Sequence, residues 1–93
     1  MLLANFVFAL GEFNTDTYST IKEIKSSTYN EIYLEEIHKC NGGSLDRYDF
    51  EVDDSIKLSL IMMAFASQKP VRIEYDCDEI TKHPKITKVR VRR

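Results

Sequence analysis

Residues 49–77, DFEVDDSIKLSLIMMAFASQKPVRIEYDC, decide how this chain folds. Tyr48, Phe50 and Val52 alternate with Arg47, Asp49 and Glu51, the period-two pattern of a half-buried strand. Asp53 or Asp54 then supplies an N-cap, because a carboxylate accepts orphan backbone N–H groups at the positive end of a helix dipole. The spacing predicts a helix over about residues 55–67, stopped where Lys69-Pro70 disfavours helical backbone. Val71, Ile73 and Tyr75 alternate with Arg72, Glu74 and Asp76 in a second strand that ends at Cys77. Within the helix, Ile56, Leu60, Met63 and Ala64 share the face expected to meet the core. Leu58, Ile61, Met62 and Phe65 fill most of the rest, more apolar surface than one packing stripe needs. The second face (Leu58, Met62, Phe65) is therefore expected to contact another subunit in a homo-oligomer.

On the N-terminal side, residues 17–25 and 30–39 are rich in β-branched and aromatic side chains around a Ser26-Ser27-Thr28-Tyr29-Asn30 turn. This predicts a β-hairpin. Ile32 and Leu34 share a face while Ile37 is out of phase, which calls for a bulge near Glu35-Glu36. The rival is one helix over residues 16–39, since Tyr18, Ile21 and Ile24 recur every three residues; Ser26, Ser27, Thr28 and Asn30 at its middle weigh against it. Asn41-Gly42-Gly43-Ser44 is a turn, and Gly11 to Asp16 a polar break. On the C-terminal side a charged loop with His83-Pro84 precedes Ile86, Val89 and Val91, interleaved with basic residues as a last strand.

Residues 1–10, MLLANFVFAL, are apolar but too short to span a bilayer. Residues 1–12 are thus a signal remnant or an extra strand. The order β, β, β, α, β, β predicts a mainly β, OB-like barrel, with one α-helix between strands three and four, as a single domain over residues 1–93.

The 93-residue chain has the size of one small domain, and 43% hydrophobic with 30% charged residues argues against disorder. Its net charge of −2 gives no general attraction to nucleic acid or anionic membrane. Six of the 13 basic residues lie in residues 82–93, which hold no acid, leaving seven against 15 acids in residues 1–81. That basic tail is either a nucleic-acid stripe, with Tyr18, Tyr29, Tyr33, Tyr48 and Tyr75 as stacking platforms, or an outward strand face paired with Glu31, Glu35 or Glu36. The acidic remainder of the chain favours the second, so nucleic acid is not the expected partner.

Asp49-Phe50-Glu51-Val52, the segment Lys57-Leu58-Ser59-Leu60-Ile61-Met62-Met63-Ala64-Phe65-Ala66 and Gln68-Lys69-Pro70-Val71-Arg72-Ile73-Glu74-Tyr75 resemble small exported bacterial OB-fold proteins. That group includes the B-subunits of subtilase- and pertussis-like toxins. The resemblance is one of fold, strongest over residues 49–77. It implies a disulfide between Cys40 and Cys77 and an exported location, favoured over the cytoplasm. It carries over no glycan-contacting residue.

Two free buried thiols are the alternative for the cysteines. A zinc site from His38, Cys40, Cys77 and His83 is a weaker one, since neither spacing is that of a usual ligand pair. No nucleophile–base arrangement or glycine-rich phosphate loop is recognisable, and the carboxylates Asp53, Asp54, Asp76, Asp78 and Glu79 converge on nothing. Neither catalytic residues nor metal ligands nor a cofactor are expected. The expectation is a non-catalytic binding or assembly module that takes a glycan or protein partner. The alternative is an intracellular OB protein binding single-stranded nucleic acid, and a third class is a purely structural assembly subunit.

Overall fold

The computed structural model describes residues 13–93 apart from Thr28, Val52 and Asp54. The apolar segment 1–12, and Asp54 as a helix cap, lie outside the described residues. In chain order the elements are β1 (Phe13–Asn14), β2 (Glu23–Ser26), β3 (Asn30–Tyr33), β4 (Arg47–Asp49), α1 (Ser55–Ser67), β5 (Val71–Cys77) and β6 (Pro84–Val91). The described residues are mainly β with one helix. Among these residues six strands form one mixed sheet in the order β1-β5-β6-β4-β3-β2. Only β4 and β6 run parallel; every other neighbouring pair is antiparallel. β1 and β2 stand at opposite ends of this order, and among the described residues they are not paired with each other.

Two expectations need correction. The helix follows the fourth strand, not the third, because Phe13 and Asn14 pair with Tyr75 and Glu74 ahead of the hairpin. A two-residue strand has no alternation to reveal it. The hairpin itself forms as β2 and β3, but β3 ends at Tyr33 and the chain bends at Glu35–Glu36, with no long bulged strand. Ile37 is consequently 56% exposed.

That bend is held by two buried phenols. Tyr48 donates its hydroxyl to the Glu36 carbonyl at 2.8 Å, and the Lys39 N–H donates to the Tyr75 hydroxyl at 3.0 Å. Their rings pack edge to face with centroids 5.3 Å apart, inside a core that also holds Ile32, Leu34, Ile73 and Ile86. Burying tyrosine is tolerable only when its hydroxyl is bonded. Here those bonds also fix the segment leading to Cys40.

α1 spans the predicted residues but presents a different face. Ile61 and Ala64 are buried, with Leu58 and Phe65 partly buried against the same core. Ile56 is 74% exposed, and Met62 and Met63 are also exposed. A helix apolar all round carries almost no directional signal, so the sheet decides which stripe is covered. Its end is a Schellman motif: the Lys69 N–H bonds to the Ala64 carbonyl at 2.9 Å and the Gln68 N–H to that of Phe65 at 3.3 Å. Gln68 takes the left-handed position at φ 54°.

Candidate functional site

Glu31 and Asp49, and Tyr33 and Arg47, are opposite partners across β3 and β4. All four side chains therefore share the sheet face opposite Ile32 and Tyr48, which point into the core. Arg47 Nε lies 3.3 Å from Glu31 Oε2 and 3.1 Å from Asp49 Oδ1. The Tyr33 hydroxyl donates to Glu31 Oε1 at 2.7 Å. The Arg47 guanidinium also sits 5.1 Å from the Tyr29 ring centroid, and the Tyr29 ring meets His83 edge-on at 5.3 Å.

His83 completes the cluster from the loop between β5 and β6. Its Nδ1 lies 3.1 Å from Asp49 Oδ2 and 2.8 Å from Arg47 Nη2. One ring nitrogen serves one of these at a time: protonated, it donates to Asp49, and bare, it accepts from Arg47. Glu31 and Asp49 are both buried, so Arg47 is what makes their charges tolerable. Burial opposes the charge on Arg47, but the Asp49 hydrogen bond, followed by the charges of Asp49 and Glu31, more than offsets it and raises its pKa.

The same cluster acts on Tyr33. The hydrogen bond to Glu31 first, then burial and the Glu31 charge, push its pKa from 10.0 up to about 12. A phenol whose pKa rises on folding contributes stability that is fully present below the ordinary tyrosine value and is lost as pH climbs through about 12. Wild-type protein is therefore expected to be more stable than Tyr33→Phe at neutral pH, with the gap closing between pH 10 and 12 in denaturant titrations. A gap that does not narrow over that range contradicts the assignment.

Beside this cluster lies a cleft of about 230 Å³. Tyr29 and Asn30 enter it from the hairpin turn, Asp49, Phe50 and Glu51 from the end of β4, Asp78, Thr81 and His83 from the β5–β6 loop, and Lys85 from β6. Lys85 Nζ spans it, 3.2 Å from Glu51 Oε2 and 3.8 Å from Asp78 Oδ1.

The loop wall is fixed from three sides. Asp78 Oδ2 accepts from the Ile80 and Thr81 N–H groups, both at 2.9 Å, and from the Thr81 hydroxyl at 3.2 Å. These bonds, led by the Thr81 and Ile80 amides, lower the Asp78 pKa, so what they contribute to stability is lost as pH falls through that lowered value. Cys77, directly before Asp78, is disulfide-bonded to Cys40 with Cα atoms 5.5 Å apart. Gly42, two residues after Cys40, packs where any Cβ would collide with the Thr81 carbonyl and approach Lys82 C at 2.9 Å. Gly42→Ala is expected to cost about 1–3 kcal/mol through this overpacking. Unchanged thermal unfolding would show that the two loops separate freely.

The zinc alternative is not assembled. Both sulfurs are in the disulfide, His38 Nε2 is 2.8 Å from the Ser44 carbonyl, and His38 Nδ1 accepts the Cys40 N–H at 3.1 Å. Among the described residues no group of three or more His, Cys, Asp or Glu side chains is placed to hold a metal. Of the residues expected at an oligomer contact, Leu58 and Phe65 are partly buried against their own core, and Met62 is exposed.

The carboxylate partners also differ from expectation. Glu31 pairs with Arg47 from β4, and Glu36 accepts the Asp16 and Thr17 N–H groups at 2.7 and 3.2 Å. Lys88 and Arg90 of the basic tail lie near Glu74, while Lys85 lies near Glu51 and Asp78. The Arg47 cluster went unforeseen from sequence, because alternating charges on β3 and β4 name their partners only once the register is known. No helix among the described residues is long and apolar enough to cross a membrane. Comparison with protein-family models, curated proteins and solved structures finds no match to this chain.

Proposed function

We propose that this chain is a non-catalytic binding module of OB-like architecture whose cleft receives a saccharide. The fold argument starts from β1 and β2, which are successive parts of one chain path. Before β2 joins β3, the Thr15 N–H bonds to the Ile73 carbonyl at 2.9 Å, and Ser19 exchanges bonds with Val71 at 3.0 and 2.8 Å. Taken as one bent first strand, residues 13–26 edge both β5 and β3, and the six strands become five. The helix, which follows β4, then precedes the last two strands of an OB-like order, with β4 and β6 as its parallel pair.

In such barrels, oligosaccharides and oligonucleotides sit against strands two and three, between the loop joining strands one and two and the loop joining strands four and five. Tyr29 and Asp78, Thr81 and His83 of the β5–β6 loop line the cleft, which supports reading them as counterparts of those two loops. The charge around the cleft supports a saccharide over a nucleotide: Glu31, Asp49, Glu51 and Asp78 outnumber Arg47 and Lys85, an excess of negative charge that disfavours phosphate. Carboxylates and Asn30 offer acceptors to sugar hydroxyls, with Lys85 as donor. A volume of about 230 Å³ lies below the common ligand range of about 300–1,000 Å³, so one sugar ring is the fitting unit. The carrying observation is this acidic, hydroxyl-compatible cleft, walled on one side by a loop that Asp78 and the disulfide hold in place.

A binding role, not a catalytic one, is supported by the state of the carboxylates. Asp49 is engaged by Arg47 and His83, and Glu51 and Asp78 by Lys85. The disulfide supports export to an oxidising compartment. Exposed Ile56, Met62 and Met63 on α1 support a homo-oligomer.

A glycan array probed with the oxidised protein tests the cleft. Binding to a restricted set of glycans, weakened at least tenfold by Glu51→Gln or Tyr29→Ala, is the expected result. A blank array, or salt-sensitive binding to single-stranded oligonucleotide through the cleft, overturns the proposal. Light scattering that shows a monomer removes the oligomer from it.

A further inference from the structure

We propose that the outward face of β5 and β6 over Arg72, Glu74, Lys88 and Arg90, further along the strands than the cleft residue Lys85, is a second binding surface for a linear anionic polysaccharide bearing sulfate or uronate groups. The two strands set Arg72 opposite Arg90 and Glu74 opposite Lys88, so these four side chains share one face while Val71 and Ile73 are buried on the other. Just past the end of β6, the Arg92 N–H bonds to the Pro70 carbonyl at 3.2 Å, which extends the ladder and continues the row beyond Arg90. Like charges directly opposite in a sheet are destabilising, and Arg72 against Arg90 is such a pair.

Little nearby neutralises it. Glu74 is shared by Lys88 Nζ at 3.5 Å and Arg90 Nη2 at 3.6 Å, both long contacts. Arg72, Lys88, Arg90 and Arg92 thus stand around Glu74, with Asp76 the next carboxylate along this face of β5, an excess of cations in a chain of net charge −2. Arg72 is held in place by a hydrogen bond from its Nε to the Thr15 carbonyl at 2.6 Å, which leaves its Nη groups as donors.

The geometry selects the partner. Alternate residues of a strand lie about 6.8 Å apart, so Lys88, Arg90 and Arg92 form a row about 14 Å long, suited to repeated charges on a chain instead of one small anion. Arginine forks match the paired oxygens of sulfate and carboxylate. Single-stranded nucleic acid needs an open aromatic platform, but the nearest ring, Tyr18, is covered by the Arg92 guanidinium at 4.0 Å. A membrane partner would need apolar side chains to insert, and none of the exposed large apolar residues belongs to β5 or β6.

Titration with a heparin-derived hexasaccharide tests this surface. Binding is expected at about 50 mM salt, falling on the order of 50-fold by about 200 mM as some three counterions are displaced. Arg72→Gln/Arg90→Gln is expected to weaken it at least tenfold while thermal stability stays level or rises, because a like-charge pair has gone. Glu51→Gln, in the cleft, is expected to leave this affinity unchanged, so failure here and failure of the saccharide cleft are separate results. The proposal is overturned by absent binding at low salt, by a double variant that binds as wild type, or by loss of binding in Glu51→Gln. Tighter binding of a thymidine oligonucleotide, or of phosphatidylserine vesicles, overturns it too.

Discussion

Replacing Cys40 and Cys77 with alanine is expected to lower the unfolding free energy by about 4 kcal/mol, from the chain entropy of a loop of about 38 residues. For a domain of this size that loss corresponds to roughly 20 °C in Tm. The bond is placed where its removal matters beyond entropy. Cys77 ends β5 and leads directly into the cleft wall at Asp78, while Cys40 leads into Gly42, which lies against Thr81 and Lys82. Reduction should therefore destabilise the fold and loosen the β5–β6 loop together. Thermal unfolding with and without reductant, with hydrogen exchange at residues 78–83, measures both. A change below about 1 kcal/mol would show that the two loops are held by packing alone.

Arg47→Met is expected to be nearly as damaging, at about 3–5 kcal/mol, because it strands two buried carboxylates with no cation between them. The side chains of Glu31 and Asp49 are 5% and 13% exposed, too little for water to take over the role of the guanidinium. The cost should belong to the charges, not to lost packing. Adding Glu31→Gln on the Arg47→Met background is accordingly expected to recover about 1–3 kcal/mol, a coupling that additive effects would not give. Strictly additive losses in denaturant unfolding would mean that Glu31 and Arg47 do not act as a pair.

The contrast between these two sites shows what the sequence made legible. β5 and β6, the β2–β3 hairpin and α1 were readable because alternation, turn residues and an apolar run each name an element locally. The Cys40–Cys77 bond was anticipated through a fold resemblance. The buried face of α1 was not readable: with Ile56, Leu58, Leu60, Ile61, Met62 and Met63 all apolar, no stripe stands out, and only packing selects Leu58, Ile61, Ala64 and Phe65. The Arg47 cluster was hidden for a different reason. Glu31 is 16 positions from Arg47 and His83 is 36 away, so their meeting depends on β3–β4 register and on the loop the disulfide anchors. The basic tail was visible as composition. Its opposition of Arg72 to Arg90 was visible only as register.

The saccharide cleft is tested most directly by mapping backbone amide shifts of isotope-labelled, oxidised protein titrated with a panel of neutral and amino methyl glycosides. Saturable shifts at Asn30, Glu51, Thr81 and His83 for at least one glycoside are predicted. Shifts confined to α1 or to the outward face of β5 and β6, or none at millimolar concentration, would contradict the account.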